Sequence, residues 1–197
     1  MPKLTTIILL LCSLSVLGQK SIGVEQSVYY SDHSSFTFVP VVSLQGKKNW
    51  YAESRFNYED VNTASFHAGK SFSGAGKVSY TFTPLIGGLV GNTNGFSLGS
   101  NVELEYKKLN WFTQTQYVFS TEDFLYTWSE LFYSPIKWFY VGGALQHTYL
   151  KKEGHLWEPG AGVGLSVKNI SVTAYDFVAL PSKSHTFVVS LIFQKEK

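Results

Sequence analysis

The segment Phe96-Ser97-Leu98-Gly99-Ser100-Asn101-Val102-Glu103-Leu104-Glu105-Tyr106 carries two different surfaces on eleven residues. Taken alternately, Phe96, Leu98, Ser100, Val102, Leu104 and Tyr106 are apolar at five of six positions, while Ser97, Gly99, Asn101, Glu103 and Glu105 include no large apolar side chain. A helix would scatter each set around its circumference, whereas a strand sends successive side chains to opposite faces and keeps the sets apart. The division recurs further on. Trp157, Pro159, Ala161, Val163, Leu165 and Val167 form an apolar set, and Glu158, Gly160, Gly162, Gly164 and Ser166 fill the other face.

Working outward from these two segments, period-two alternation predicts strands at 21–30, 35–45, 49–59, 62–72, 77–90, 96–107, 110–120, 124–134, 137–149, 156–168, 169–179 and 185–194. Their connections alternate in kind. One class is short, such as Gly46-Lys47-Lys48, Lys107-Lys108 and Lys168-Asn169. The other is longer, such as Glu59-Asp60-Val61-Asn62, Gly91-Asn92-Thr93-Asn94-Gly95 and Lys151-Lys152-Glu153-Gly154-His155. Gly, Asn, Asp and Ser dominate both classes, as hairpin turns require. About twelve antiparallel strands in up-and-down order therefore make an all-β, closed transmembrane β-barrel the expected fold. An even count places both termini at one rim. Ten strands is the alternative, because the two N-terminal segments alternate least clearly.

Composition agrees. Aromatics make up 16% of the 197 residues and charged residues only 15%, against about a quarter in soluble globular domains. Mean hydropathy is −0.01 and no apolar run beyond Gly18 approaches the roughly 20 residues of a membrane helix, so a helical membrane protein is excluded. The formal charge of +2, without a basic run, argues against a nucleic-acid partner. Residues 1–18 read as a signal peptide, with Lys3 in its positive region, an apolar stretch to Leu17 and cleavage before Gln19; 19–197 would be the barrel domain. Cys12 lies inside the leader, and Leu11 before it argues against lipidation. A mature chain would then have no cysteine.

A soluble secreted β-barrel that binds a small ligand also alternates, but it hides its apolar face and shows charge outside. Three features favour the membrane. Trp50, Phe96, Tyr106, Trp111, Trp138, Tyr149 and Trp157 sit at strand ends, where interfacial girdles belong. The hairpins run on without a long crossover. Phe187, Val189, Leu191 and Phe193 alternate in the last strand. That strand resembles the C-terminal insertion signal of outer-membrane proteins, although Gln194-Lys195-Glu196-Lys197 extends past the usual terminal aromatic. Asn57-Tyr58-Glu59-Asp60, Gly91-Asn92-Thr93-Asn94-Gly95 and Tyr126-Thr127-Trp128-Ser129-Glu130 are similar to stretches of small bacterial outer-membrane barrel proteins of a Bacteroidota-like kind. The resemblance implies a Gram-negative outer-membrane location, with membrane lipid and the barrel-assembly machinery as partners, and carries no assigned chemistry.

By alternation, the polar residues aimed at the interior are Glu53, Arg55, Glu59, Glu103, Glu105, Lys107, Gln114, Gln116, Glu130, Gln146 and Asp176. An Arg or Lys turned to the bilayer midplane would cost roughly 2–4 kcal/mol, so these residues point toward water or one another. A network of ion pairs and hydrogen bonds filling the lumen is the expected arrangement; a lining that selects small polar solutes by charge is the competing one. Glu103 and Glu105 share a face about 7 Å apart, a spacing that suits paired carboxylates but also follows from any inward polar face. His67 is expected in the lumen as a hydrogen-bonding partner. Space left by Gly160, Gly162 and Gly164 is expected to be filled by Tyr126 and Trp128.

No Ser-x-Gly elbow, His-Glu-x-x-His or phosphate loop occurs, and the five histidines show no metal spacing, so neither cofactor nor metal is expected. An outer-membrane lipid-modifying enzyme is the alternative function; its candidate groups are His33 and Ser35 beside Asp32, with His155 and His185 in or near the longer loops. The expected role is not enzymatic: structural or passive, with a lumen that admits small polar solutes.

Overall fold

The structure, a computed structural model, describes residues 19–31, 34–180 and 182–196. The expected leader at 1–18 lies outside them, as do Asp32 and His33. Thirteen strands follow one another: β1 (Gln19–Ser31), β2 (Ser34–Gly46), β3 (Trp50–Phe56), β4 (Thr63–Lys70), β5 (Phe72–Gly74), β6 (Ser79–Gly91), β7 (Gly95–Tyr106), β8 (Leu109–Phe119), β9 (Phe124–Ile136), β10 (Phe139–Leu150), β11 (Gly154–Val167), β12 (Ile170–Val178) and β13 (His185–Glu196). β4 and β5 are two stretches of one barrel strand interrupted at Ser71. Both pair with β6, and the Ser71 amide donates to the Asn49 carbonyl at 2.9 Å on the other side. The barrel thus has twelve strands. β1 pairs with β13 and with β2, and β4 pairs with β3 and with β6, so the antiparallel sheet closes.

Side-chain parity explains why this sequence closes rather than stacking as a sandwich. Phe36, Phe66, Ile86, Leu98, Val163, Leu165 and Leu191 are all exposed on the outer face. Large apolar residues on the outside of every part of the wall suit a lipid solvent and overturn the soluble alternative. Trp50, Tyr106 and Trp138 ring the rim that carries the short turns, while Phe96 and Trp157 lie at the opposite, loop-bearing rim. The short turns need an unusual backbone: Lys107 and Lys168 each take a left-handed φ of 56°, so side-chain parity does not run through them.

The interior has two unlike halves. From β9 to β13, Trp128, Phe132, Tyr175, Phe177 and Val188 are buried together. Trp128 meets Tyr175 and Phe177 edge to face, 5.2 Å from both between centroids, while Tyr175 and Phe177 stack on each other at 5.7 Å. The glycine-lined face of β11 makes room for this cluster, but the occupants differ from expectation. A Cβ on Gly162 would stand 2.8 Å from Phe132 Cζ and 2.9 Å from Tyr175 Cδ1, and Phe177 and Tyr140 crowd Gly160 and Gly164. Trp128 packs edge-on to Tyr175 and Phe177 rather than against the glycines. The other half, from β1 to β8, holds most of the buried polar side chains, with a smaller apolar cluster where Leu89 and Val118 pack against Phe124.

β3 departs from its predicted length in a way that shapes the lumen. It ends at Phe56, not at residue 59, and the chain turns in. The loop is tied by the Asn57 amide donating to Thr63 O at 2.9 Å and the Asn62 amide donating to Asn57 Oδ1 at 2.7 Å. Left-handed φ at Asn57 and Asn62, 58° and 56°, is conformation that asparagine adopts more readily than most residues.

Candidate functional site

The inward turn carries Tyr58 and Glu59 into the barrel, where they meet the inward face of β3. Arg55 and Glu53 form a buried ion pair, and Arg55 Nη1 also donates to Glu59 Oε1 at 3.1 Å and to Gln116 Oε1 at 2.9 Å. Its guanidinium lies 4.4 Å from the centroid of the Tyr58 ring. Arg55 is only 2% exposed and is the one buried Lys or Arg among the described residues, so its charge is held entirely by these partners. Gln116 Nε2 returns a hydrogen bond to Glu59 Oε1 at 3.1 Å. Tyr58 donates to Gln114 Oε1 at 2.6 Å, and Gln114 Nε2 donates to Asn101 Oδ1 at 2.9 Å. The Tyr58 ring packs edge-on to Tyr126 at 5.6 Å.

This bridge divides the lumen. Toward the loop rim lies a cavity of about 580 Å³, lined in part by Glu59, Asp60, Thr93, Glu122, Phe124 and Tyr126. Toward the turn rim lies a cavity of about 360 Å³, reaching Glu25, Glu103 and Glu130, and it runs on into a further space of about 250 Å³ that shares Tyr51, Ser43 and Glu103. Tyr58 lines both the loop-rim cavity and the cavity of about 360 Å³ below the bridge.

The residues singled out from sequence fall into four groups. Glu53, Arg55, Glu59, Gln114 and Gln116 come together in the bridge. Glu130 sits on the aromatic side, accepting from Trp128 Nε1 at 3.1 Å and the Tyr175 hydroxyl at 2.8 Å; Gln146 is buried and accepts from Tyr126 at 3.1 Å. Glu103 borders the lower cavities and accepts from Asn110 at 2.9 Å, and Glu105 continues the same face, exposed, opposite Asn110 at the turn rim.

Two need correction. Lys107 does not line the lumen: β7 stops at Tyr106, and Lys107 occupies the turn with its Nζ 5.1 Å from the Tyr106 ring centroid. Asp176 faces outward. Thr173, Tyr175 and Phe177 are the buried parity of β12, and Asp176 accepts from or pairs with His185 Nδ1 at 2.9 Å near the loop rim, where a half-exposed carboxylate reaches the polar interface.

Sequence reasoning missed Glu25, whose carboxylate accepts from Ser27 at 2.8 Å beside the buried Ser27–Ser190 contact of 2.6 Å. The alternation of Val24 and Val28 with Glu25 and Ser27 was its available signal. Tyr58 carried a misleading signal: on the predicted strand 49–59 it alternates with Glu59 and would face lipid, whereas the strand ends at Phe56 and Tyr58 lies in a loop, where parity does not hold. His67 is buried in the lumen with Nε2 2.9 Å from Ser97 Oγ.

Of the histidines considered for catalysis, His155 Nδ1 lies 2.9 Å from His147 Nε2 on the outer face, in a stack with Trp157. Among the described residues no three His, Cys, Asp or Glu side chains are grouped to hold a metal ion. At the loop rim Lys152 pairs with Glu122 at 2.5 Å, and that hydrogen bond raises the Lys152 ammonium above its ordinary pKa.

No protein-family model matches the chain, and no curated protein matches it. Solved structures do. The KdgM porin in complex with disordered oligogalacturonate superposes with a TM-score of 0.66 at 10% identity, over 87% of this chain and 98% of that one. The NanC porin gives 0.56 at 10% identity, over 87% and 98%. The outer-membrane protein Omp33 of Acinetobacter baumannii gives 0.51 at 10% identity, over 90% and 99%. At such identities the likeness is one of fold, and the fold this chain shares is that of bacterial outer-membrane porins.

Proposed function

We propose that the chain is an outer-membrane barrel of a Gram-negative bacterium, of the Bacteroidota-like kind that three of its sequence stretches resemble, with a passive, non-enzymatic role in admitting small polar solutes. Its leader is removed near Gly18, the assembly machinery inserts it, and the short turns face the periplasm. The observation that carries the reading is the charge of the lumen. Glu25, Glu53, Glu59, Glu103 and Glu130 face inward, and Arg55 is the buried cation set against them. An enclosed wall of one dominant sign raises the local concentration of counter-ions and repels like charge. Solutes are therefore small cations and neutral polar molecules. The oligogalacturonate held by the similar porin is an acidic saccharide, and this lumen disfavours it.

The bridge of Arg55, Glu59, Gln116 and Tyr58 limits the size of what passes. Planar-bilayer recording of the refolded protein under a salt gradient tests the reading. A small conductance with a cation-preferring reversal potential is expected. Conductance equal to that of protein-free bilayers rejects the passage, and an anion preference rejects the charge argument.

A further inference from the structure

We propose that the loop-rim cavity is a binding site for a small organic cation, a primary ammonium on a short aliphatic body. This deepens the passage reading and rests on it for the direction in which such a solute arrives. Glu59 borders the cavity. Its Oε1 is held by Arg55 and Gln116, while its Oε2 is buried and has no hydrogen-bond partner. The side chain is wholly buried, and a carboxylate oxygen stripped of water without a donor is costly until a donor arrives. A ligand ammonium supplies three.

The surrounding charge favours the same occupant. Arg55 is shared by Glu53 and Glu59, which leaves that trio one negative charge in excess. Asp60 adds a second, because its hydrogen bonds come from neutral donors, the Val61 amide at 2.7 Å and the Thr93 hydroxyl at 2.9 Å. Glu122 is offset by Lys152. No Lys, Arg or His is among the described residues that line the cavity. Tyr58, Phe124 and Tyr126 border it, and aromatic faces attract cations and cover an alkyl chain. A bare metal ion fits less well, since the carboxylates are not grouped as ligands. At about 580 Å³ the space holds a chain of several carbons, and Leu150 and Phe124 give that chain apolar wall.

The test is calorimetric titration of the refolded full-length protein in zwitterionic detergent at low salt, with putrescine as probe. Butanediol serves as the neutral probe of similar length and succinate as the anionic one. Saturable binding of putrescine is expected, with none by the other two, and with affinity falling as salt rises. Asp60→Asn keeps an oxygen for the Val61 amide and removes the charge; it is expected to weaken binding about tenfold, while Glu103→Gln in the lower cavity changes it by less than about twofold. Isotope-labelled tyrosine resonances give a reading that needs no variant: Tyr58 and Tyr126 shift on saturation and Tyr51 does not. Equal binding of putrescine and butanediol overturns the site, as does loss of binding in Glu103→Gln with Asp60→Asn unaffected. Binding without conductance overturns the passage alone; conductance without binding overturns the site alone.

Discussion

Arg55 of β3 donates from Nη1 to the amide oxygen of Gln116 on β8 at 2.9 Å, joining side chains 61 residues apart through the interior of the barrel. Three strand positions separate them in the wall, so the contact acts as a strut inside it. Its strength depends on a full set of partners, because a buried guanidinium with two carboxylates is stable only while all three are present.

Arg55→Leu should therefore destabilise the barrel by about 3–5 kcal/mol, since Glu53 and Glu59 would be left buried and uncompensated. Urea unfolding followed by tryptophan fluorescence measures the loss. A triple change, Arg55→Leu with Glu53→Gln and Glu59→Gln, should recover part of it; no recovery would show that packing rather than charge sets the cost.

Tyr58→Ala removes the ring that lines both cavities and the hydrogen bond to Gln114. Single-channel conductance should rise several-fold, with the fold intact by heat-modifiable gel mobility. An unchanged conductance would place the narrowest point elsewhere.

Gly162→Val drives a side chain into Phe132 and Tyr175, which already stand at 2.8 and 2.9 Å from a Cβ there. Overpacking of this kind costs about 1–3 kcal/mol, read as a lower urea midpoint. Gly143 on the neighbouring strand faces outward, and a Cβ there would stand 3.8 Å from the Gly160 carbonyl oxygen, so Gly143→Ala should be neutral by the same measurement.

Leu98→Arg puts a charge on the lipid face and should cost about 2–4 kcal/mol of stability in bilayers. Leu98→Met keeps an apolar side chain at the same position and should change stability little. A loss in Leu98→Arg no greater than in Leu98→Met would contradict a lipid-facing exterior.

The wall was legible because lipid outside and polar groups inside force a period of two, which β7 and β11 display without ambiguity. β9 resists the same reading. Its inward Tyr126, Trp128 and Phe132 face the aromatic half of the lumen and its inward Phe124 packs on Leu89 and Val118, while Leu125, Leu131 and Tyr133 face out, so both parities are apolar. Alternation cannot assign a face when both solvents of a strand are greasy.

Charges near rims mislead in another way. Asp176 and Lys107 lie where the exterior is already wet, so the penalty that sorts charged side chains inward no longer applies. The bridge itself was only half visible: its strand members carried a parity, whereas the inward turn of residues 57–62 is a tertiary choice, made by Tyr58 and Glu59 finding partners on β8 and β9.

The two-halved interior also has a consequence for handedness. A molecule held against the bridge meets aromatic edges from Trp128 and Tyr175 on one side, amides from Gln114 and Asn101 on another, and the Glu103 carboxylate on a third. Three chemically different walls around one small space make an asymmetric environment at the scale of the solute. Mirror-image forms of a chiral molecule would touch those walls in opposite order, so the barrel should admit the two at different rates, a discrimination that a uniformly lined tube of the same width cannot make.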